Sequence, residues 1–115
     1  MTDEVLEHAL LHVLPGREEA FEEAFGTARG IIASVPGFRD LSLGRCLERP
    51  ATYLLLVRWD SLEAHTVGFR GSAGYQEWKA LLHHFYEPFP VVEHFRAVAW
   101  DTDGLPRPGE QVGPG

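Results

Sequence analysis

Six histidines and one cysteine are the side chains in this sequence best suited to acid–base, nucleophilic or metal chemistry. His8 and His12 fall four residues apart on one face of an extended segment, about 13 Å apart, too far to share an ion. His83 and His84 sit near the end of a helical stretch, where cations suit the helix C-terminus, and read as a solvated pair. His65 and His94 fall in different segments. No H-E-x-x-H pattern or carboxylate-rich loop accompanies any of them, so no metal site is expected. Cys46 alone excludes a cysteine-built metal cage and reads as a small filler. No G-x-S-x-G, P-loop or dinucleotide-binding glycine pattern is present. The stretch from Trp59 to Trp78 is different. It places Phe69, Tyr75 and Trp78 among His65, Arg70 and Ser72, around a helix broken at Gly71. Aromatic walls with a few polar groups make a small-molecule pocket. The plainer alternative makes the three aromatic residues core and Arg70 a surface ion-pair residue.

These residues need elements to position them. Val5 to Leu14, ending at Pro15-Gly16, reads as a strand with Val5, Glu7, Ala9, Leu11 and Val13 on one face. Arg17 to Val35 carries Ala20, Phe21, Ala24, Phe25, Ala28, Ile32 and Val35 at helical spacing, with glutamates in the first two turns. Phe38 to Glu48 reads as a strand with Leu41, Leu43 and Leu47 on one face. Thr52 to Trp59 is its hairpin partner across Arg49-Pro50-Ala51. Asp60-Ser-Leu-Glu63 resembles a capping box that opens a helical stretch to Phe69. Ser72 restarts it as a second helix, with Tyr75, Trp78, Leu81, Leu82 and Phe85 as its apolar stripe. Val91 to Trp100 reads as the last strand.

The order β-α-β-β-α-β predicts a ferredoxin-like α+β protomer, a four-stranded antiparallel sheet with both helices on one face. Its other face remains rich in Leu and Val, so a homodimer packed sheet to sheet into an α+β barrel is expected. The folded unit spans 3–100. Residues 101–115 hold four Gly and three Pro and read as a flexible tail. Seventeen acidic against ten basic residues give a net charge of −7, which argues against nucleic-acid binding. The short apolar runs and acidic start argue against a membrane span or signal peptide, so a cytoplasmic protein is expected.

Trp59-Asp-Ser-Leu-Glu-Ala-His65, then Phe69-Arg-x-Ser72, Tyr75, Trp78 and Val92-Glu-His-Phe95, resembles the antibiotic-biosynthesis monooxygenase family over about residues 5–98. Pro15-Gly16, Phe21, Phe25 and Val35-Pro-Gly-Phe38 add to the likeness. The resemblance implies a dimeric α+β barrel with a ligand cavity between helices and sheet. Some members oxygenate polycyclic phenols or quinols with O₂ and no metal, flavin or haem; others degrade haem. The haem-degrading branch uses an Asn on the first strand and a Trp and a His on the second helix. Here the first strand lacks Asn, and Phe69 and Lys79 fall near the other two positions. No cofactor is therefore expected, haem included, unless His65, His83 or His84 ligates it from another geometry.

Oxygenation without a cofactor needs a base, a group to hold the oxyanion, and apolar walls. On that chemistry His65 or His94 serves as base and Arg70 holds the anion. Phe69, Ser72, Tyr75, Trp78 and Phe85 contact a small aromatic ligand. The alternative is a non-catalytic barrel that binds such a ligand.

Overall fold

The computed structural model describes residues 3–98. The chain forms β1 (Val5–His12), α1 (Glu18–Ala33), β2 (Phe38–Arg45), β3 (Thr52–Trp59), a π-helical segment (Ala64–Phe69), α2 (Ala73–Leu82), a 3₁₀ turn (His83–Phe85) and β4 (Val92–Phe95). The sheet is antiparallel with order β2-β3-β1-β4. This is the ferredoxin-like arrangement, with β1 and β3 central. The tail from residue 101, with Ala99 and Trp100 of the expected last strand, lies outside the described residues. No helix among the described residues is long and apolar enough to cross a membrane.

Strand alternation sorts the side chains between two faces. Val5, Glu7, Ala9 and Leu11 of β1 and Tyr53, Leu55, Val57 and Trp59 of β3 are buried. Phe21, Phe25, Ala28 and Ile32 of α1 and Trp78 and Leu82 of α2 complete that core. Phe21 is its centre, with its ring 4.9 Å from Tyr53 and 5.9 Å from Phe85. The opposite face carries Leu6, His8, Leu10 and His12 of β1 and Leu54 and Leu56 of β3, all half-buried. Phe95 is half-exposed beside His8.

Several local expectations need correcting. β2 ends at Arg45, and Leu47, expected beside Leu41 and Leu43, is exposed beyond it. Ala20 is exposed, because the buried stripe of α1 runs through Phe21 instead. The helical cap after β3 is Ser61, whose Oγ accepts from the Ala64 amide at 3.2 Å. Asp60 instead pairs with Arg39. The described final strand is only Val92–Phe95, because its ladder with β1 runs from Ala9↔Val92 to Leu6↔Phe95.

Gly37 sets where the second helical region starts. Its φ is +91°, and a Cβ there would lie 2.5 Å from that of Ala64, the first π-helical residue. Only glycine allows both the left-handed turn and this close approach.

Candidate functional site

The site grows from an acidic residue on a buried strand face. Glu7 occupies the helix-covered side of β1, between Val5 and Ala9, and is buried. Its neighbour across the sheet is His94 of β4, in direct register. Trp59, at the end of β3, is fully buried and donates from its indole Nε1–H to Glu7 Oε1 at 2.9 Å. His65, also buried, brings Nε2 to 3.4 Å from the same carboxyl oxygen. Its Nδ1 lies 2.7 Å from His94 Nε2, with one proton between them. The three groups stand in a row, Glu7–His65–His94, with a hydrogen bond between the two imidazoles.

The π-helix gives His65 this reach. Its wider turn appears in the Arg70 amide, which donates five residues back to the His65 carbonyl at 3.1 Å. His65 then lies nearly parallel to Trp59, ring centroids 5.2 Å apart and planes 18° apart. Phe69 lies against both rings, 6.2 Å from His65 and 5.8 Å from Trp59, while Tyr75 and Trp78 meet Phe69 edge-on. Ser72 fixes the restart: its Oγ accepts from the Tyr75 amide and donates to the Phe69 carbonyl.

A cavity of about 330 Å³ opens above this group. Glu7, His65 and Arg70 supply its charged or ionisable floor and rim, and Phe69, Tyr75 and Trp78 form aromatic walls. His83, Tyr86 and Phe89 close another side. The volume lies at the lower end of the range for small-molecule pockets. Arg70 is exposed, so it belongs to the open side. Among the described residues its guanidinium has no ion pair or hydrogen bond. His94 does not line the cavity; it stands behind His65.

Burial shapes the electrostatics. Desolvation raises Glu7 above the ordinary carboxyl range, partly countered by the Trp59 donor and the Arg70 charge. His65 is pushed down to about 3, by burial first and then by Arg70 and His94, so it is neutral at physiological pH. His94 is lowered by the same two influences, burial and Arg70. Burial and the Lys79 charge lower His83.

Of the predicted residues, His65, Arg70, Phe69, Tyr75 and Trp78 line one cavity, and His94 joins through His65. Ser72 caps α2 beside it. Phe85 is buried in the core against Phe21, with the Arg17 guanidinium 4.9 Å over its ring. His83, expected to be solvated like His84, is half-buried in the cavity wall, because the 3₁₀ turn swings it inward; His84 is exposed. Glu7 received no role from the sequence, although a lone acid on an otherwise apolar strand face was a readable signal. Cys46 is half-buried and free, and its sulfur accepts from the Arg49 amide. Among the described residues no group of three or more His, Cys, Asp or Glu is arranged to hold a metal.

Comparison with known proteins decides the family. A model of the antibiotic biosynthesis monooxygenase family matches residues 5–81. The chain belongs to this family. The uncharacterized protein YczJ of Bacillus subtilis is 56% identical over 94 residues, covering 82% of this chain and 99% of YczJ. A Bordetella bronchiseptica protein named for the same family is 35% identical with a TM-score of 0.80, covering 84% of this chain and 98% of the other. SnoaB of Streptomyces nogalater, described as a cofactor-independent oxygenase, shares the fold. Its TM-score is 0.72 at 23% identity, covering 91% of this chain and 99% of SnoaB. The family match ends at Leu81, so it spans Glu7, His65 and Arg70 but stops short of His83 and His94.

Proposed function

We propose that this family member is a cofactor-independent monooxygenase that oxidises an electron-rich phenol or quinol with O₂. The observation that carries the reading is the pairing of an aromatic cavity with a buried acid–imidazole group and one unpaired cation at its open side. The buried group removes a proton from the bound aromatic. Arg70 stabilises the anion left behind, and Phe69, Tyr75 and Trp78 hold its ring. A desolvated phenolate or enolate then gives an electron to O₂ directly. Glu7 and His65 make up that buried group, with His65 neutral at physiological pH.

The test is O₂ consumption with anthrone or a quinol. His65→Ala is expected to lower turnover by about 100-fold. Arg70→Met should weaken retention of the anionic form by about tenfold or more. If wild type binds the probe saturably without consuming O₂, the chain is a ligand-binding module instead. Unchanged uptake in both variants would remove the assigned roles.

The active unit in this reading is a cytoplasmic homodimer. Leu6, Leu10, Leu54 and Leu56 lie on the face that no helix covers, beside the half-exposed Phe95. His8 Nδ1 is buried there without a partner among the described residues. A second copy packed on this face would bury the patch. Light scattering should give twice the 12.9 kDa chain mass, and Leu56→Glu should halve it. A wild-type mass of one chain would sink the dimer.

A further inference from the structure

We infer that Glu7 is the group that accepts the substrate proton, and that His65 and His94 form a two-way proton path from it to solvent. This rests on the oxygenase reading above and assigns the proton transfer within it. Glu7 and His65 both line the cavity; His65 Nδ1 is bonded to His94, and its Nε2 lies 3.4 Å from Glu7 Oε1. Glu7 has a second carboxyl oxygen, Oε2, that makes no hydrogen bond among the described residues, while Oε1 accepts from Trp59 and lies 3.4 Å from His65 Nε2. The acid therefore has a free acceptor atom, and the remaining nitrogen of the imidazole faces the acid.

The far end of the chain lies at the edge of the sheet. His94 Nε2 faces His65, and its Nδ1 has no hydrogen bond among the described residues. His94 itself is half-buried on the edge strand β4, between the exposed Glu93 and Phe95. The path begins in the cavity and ends at solvent on the β4 side. The charged and titratable groups around it are Arg70, whose field reaches Glu7, His65 and His94, and Tyr75, His83 and Tyr86, which share the cavity wall with Glu7. Burial raises Glu7, which makes it a stronger base than an ordinary carboxylate.

The proton balance closes over one turnover. A C–H bond of the substrate breaks, its proton goes to Glu7, and its electron pair stays on carbon. Glu7 passes a proton to His65 Nε2, His65 passes its Nδ1 proton to His94 Nε2, and His94 releases its Nδ1 proton to water. The carbanion gives one electron to O₂, and the resulting radical pair forms a C–O bond as a peroxide anion. A proton returns inward along the same path to the peroxide, which resets both imidazole tautomers. Loss of water from the C(H)–OOH centre, breaking the second C–H bond and the O–O bond, leaves a carbonyl. Overall, CH₂ and O₂ become C=O and H₂O.

Glu7→Gln keeps the size of the side chain and an oxygen for Trp59, and removes the base. With anthrone under air, it should lower O₂ uptake by about 100-fold or more. His94→Ala should lower it by a smaller factor, and free imidazole should restore it by filling the vacated space. If Glu7→Gln retains the wild-type rate while His65→Ala does not, Glu7 is not the acceptor and the oxygenase reading survives. If wild type consumes no O₂, that reading fails, and histidine ring-nitrogen NMR decides the path by itself. A titration step shared by His65 and His94, and lost from both in Glu7→Gln, supports the coupled chain. Rings that titrate identically in wild type and Glu7→Gln overturn it.

Discussion

Trp59→Ala is expected to destabilise the protein by at least about 4 kcal/mol, a large part of the 5–15 kcal/mol roughly available to a domain. Two losses combine. Truncating a fully buried indole opens a cavity between the sheet and the helices, which by itself costs about 3–5 kcal/mol. It also removes the donor to Glu7 and leaves a buried carboxyl short of a partner, adding about 1–3 kcal/mol. Trp59→Phe separates the two. It keeps most of the ring stack on His65 and loses only the N–H, so about 1–3 kcal/mol should remain. Denaturant unfolding of both variants gives the comparison. A Trp59→Phe protein as stable as wild type would show that the indole donor contributes nothing. The same variant should raise Glu7 further, since the Trp59 hydrogen bond holds it down.

Acid should destabilise the fold through His65. In the unfolded chain His65 takes a proton near 6.5, but in the folded protein only at about 3. Between those values the unfolded state holds the extra proton, so stability is full above 6.5 and is lost as pH falls toward 3. The His65 share amounts to about 5 kcal/mol over that window. His83 and His94 are lowered too and act in the same direction. Glu7 acts in the opposite direction. Its raised value means that the folded state holds the proton longer, so its contribution favours the fold as pH falls toward 4.5. Unfolding midpoints measured across this range should fall steeply in wild type. They should fall less in His65→Gln and more steeply in Glu7→Gln. Equal slopes in wild type and His65→Gln would refute the assignment.

Much of this architecture was legible because strand alternation and helical spacing are local. β3 has the bounds its apolar run suggests, and Phe21, Phe25, Ala28 and Ile32 face the core as their spacing requires. The aromatic walls were legible for a similar reason, since Phe69, Tyr75 and Trp78 are close in sequence. What was not legible depends on distant contacts. Glu7 and His94 meet only through the register of β1 with β4, and His65 lies many residues from either. Leu47 looked like a strand residue because its type and parity fit, but the β2–β3 ladder ends at Arg45↔Tyr53. His83 carried no inward signal, because the turn that rotates it follows from how the chain leaves α2.

The π-helical turn has an evolutionary consequence. Compared with an α-helix it accommodates an extra residue, and each helical residue corresponds to about 100° of rotation. Losing one residue between Ala64 and Phe69 would keep nearly the same composition but turn His65 away from Trp59 relative to Tyr75 and Trp78. Among relatives, a one-residue gap in this stretch would therefore mark a change of chemistry more reliably than many substitutions elsewhere. Lineages that keep His65 but lose the extra residue should have lost the chain to His94.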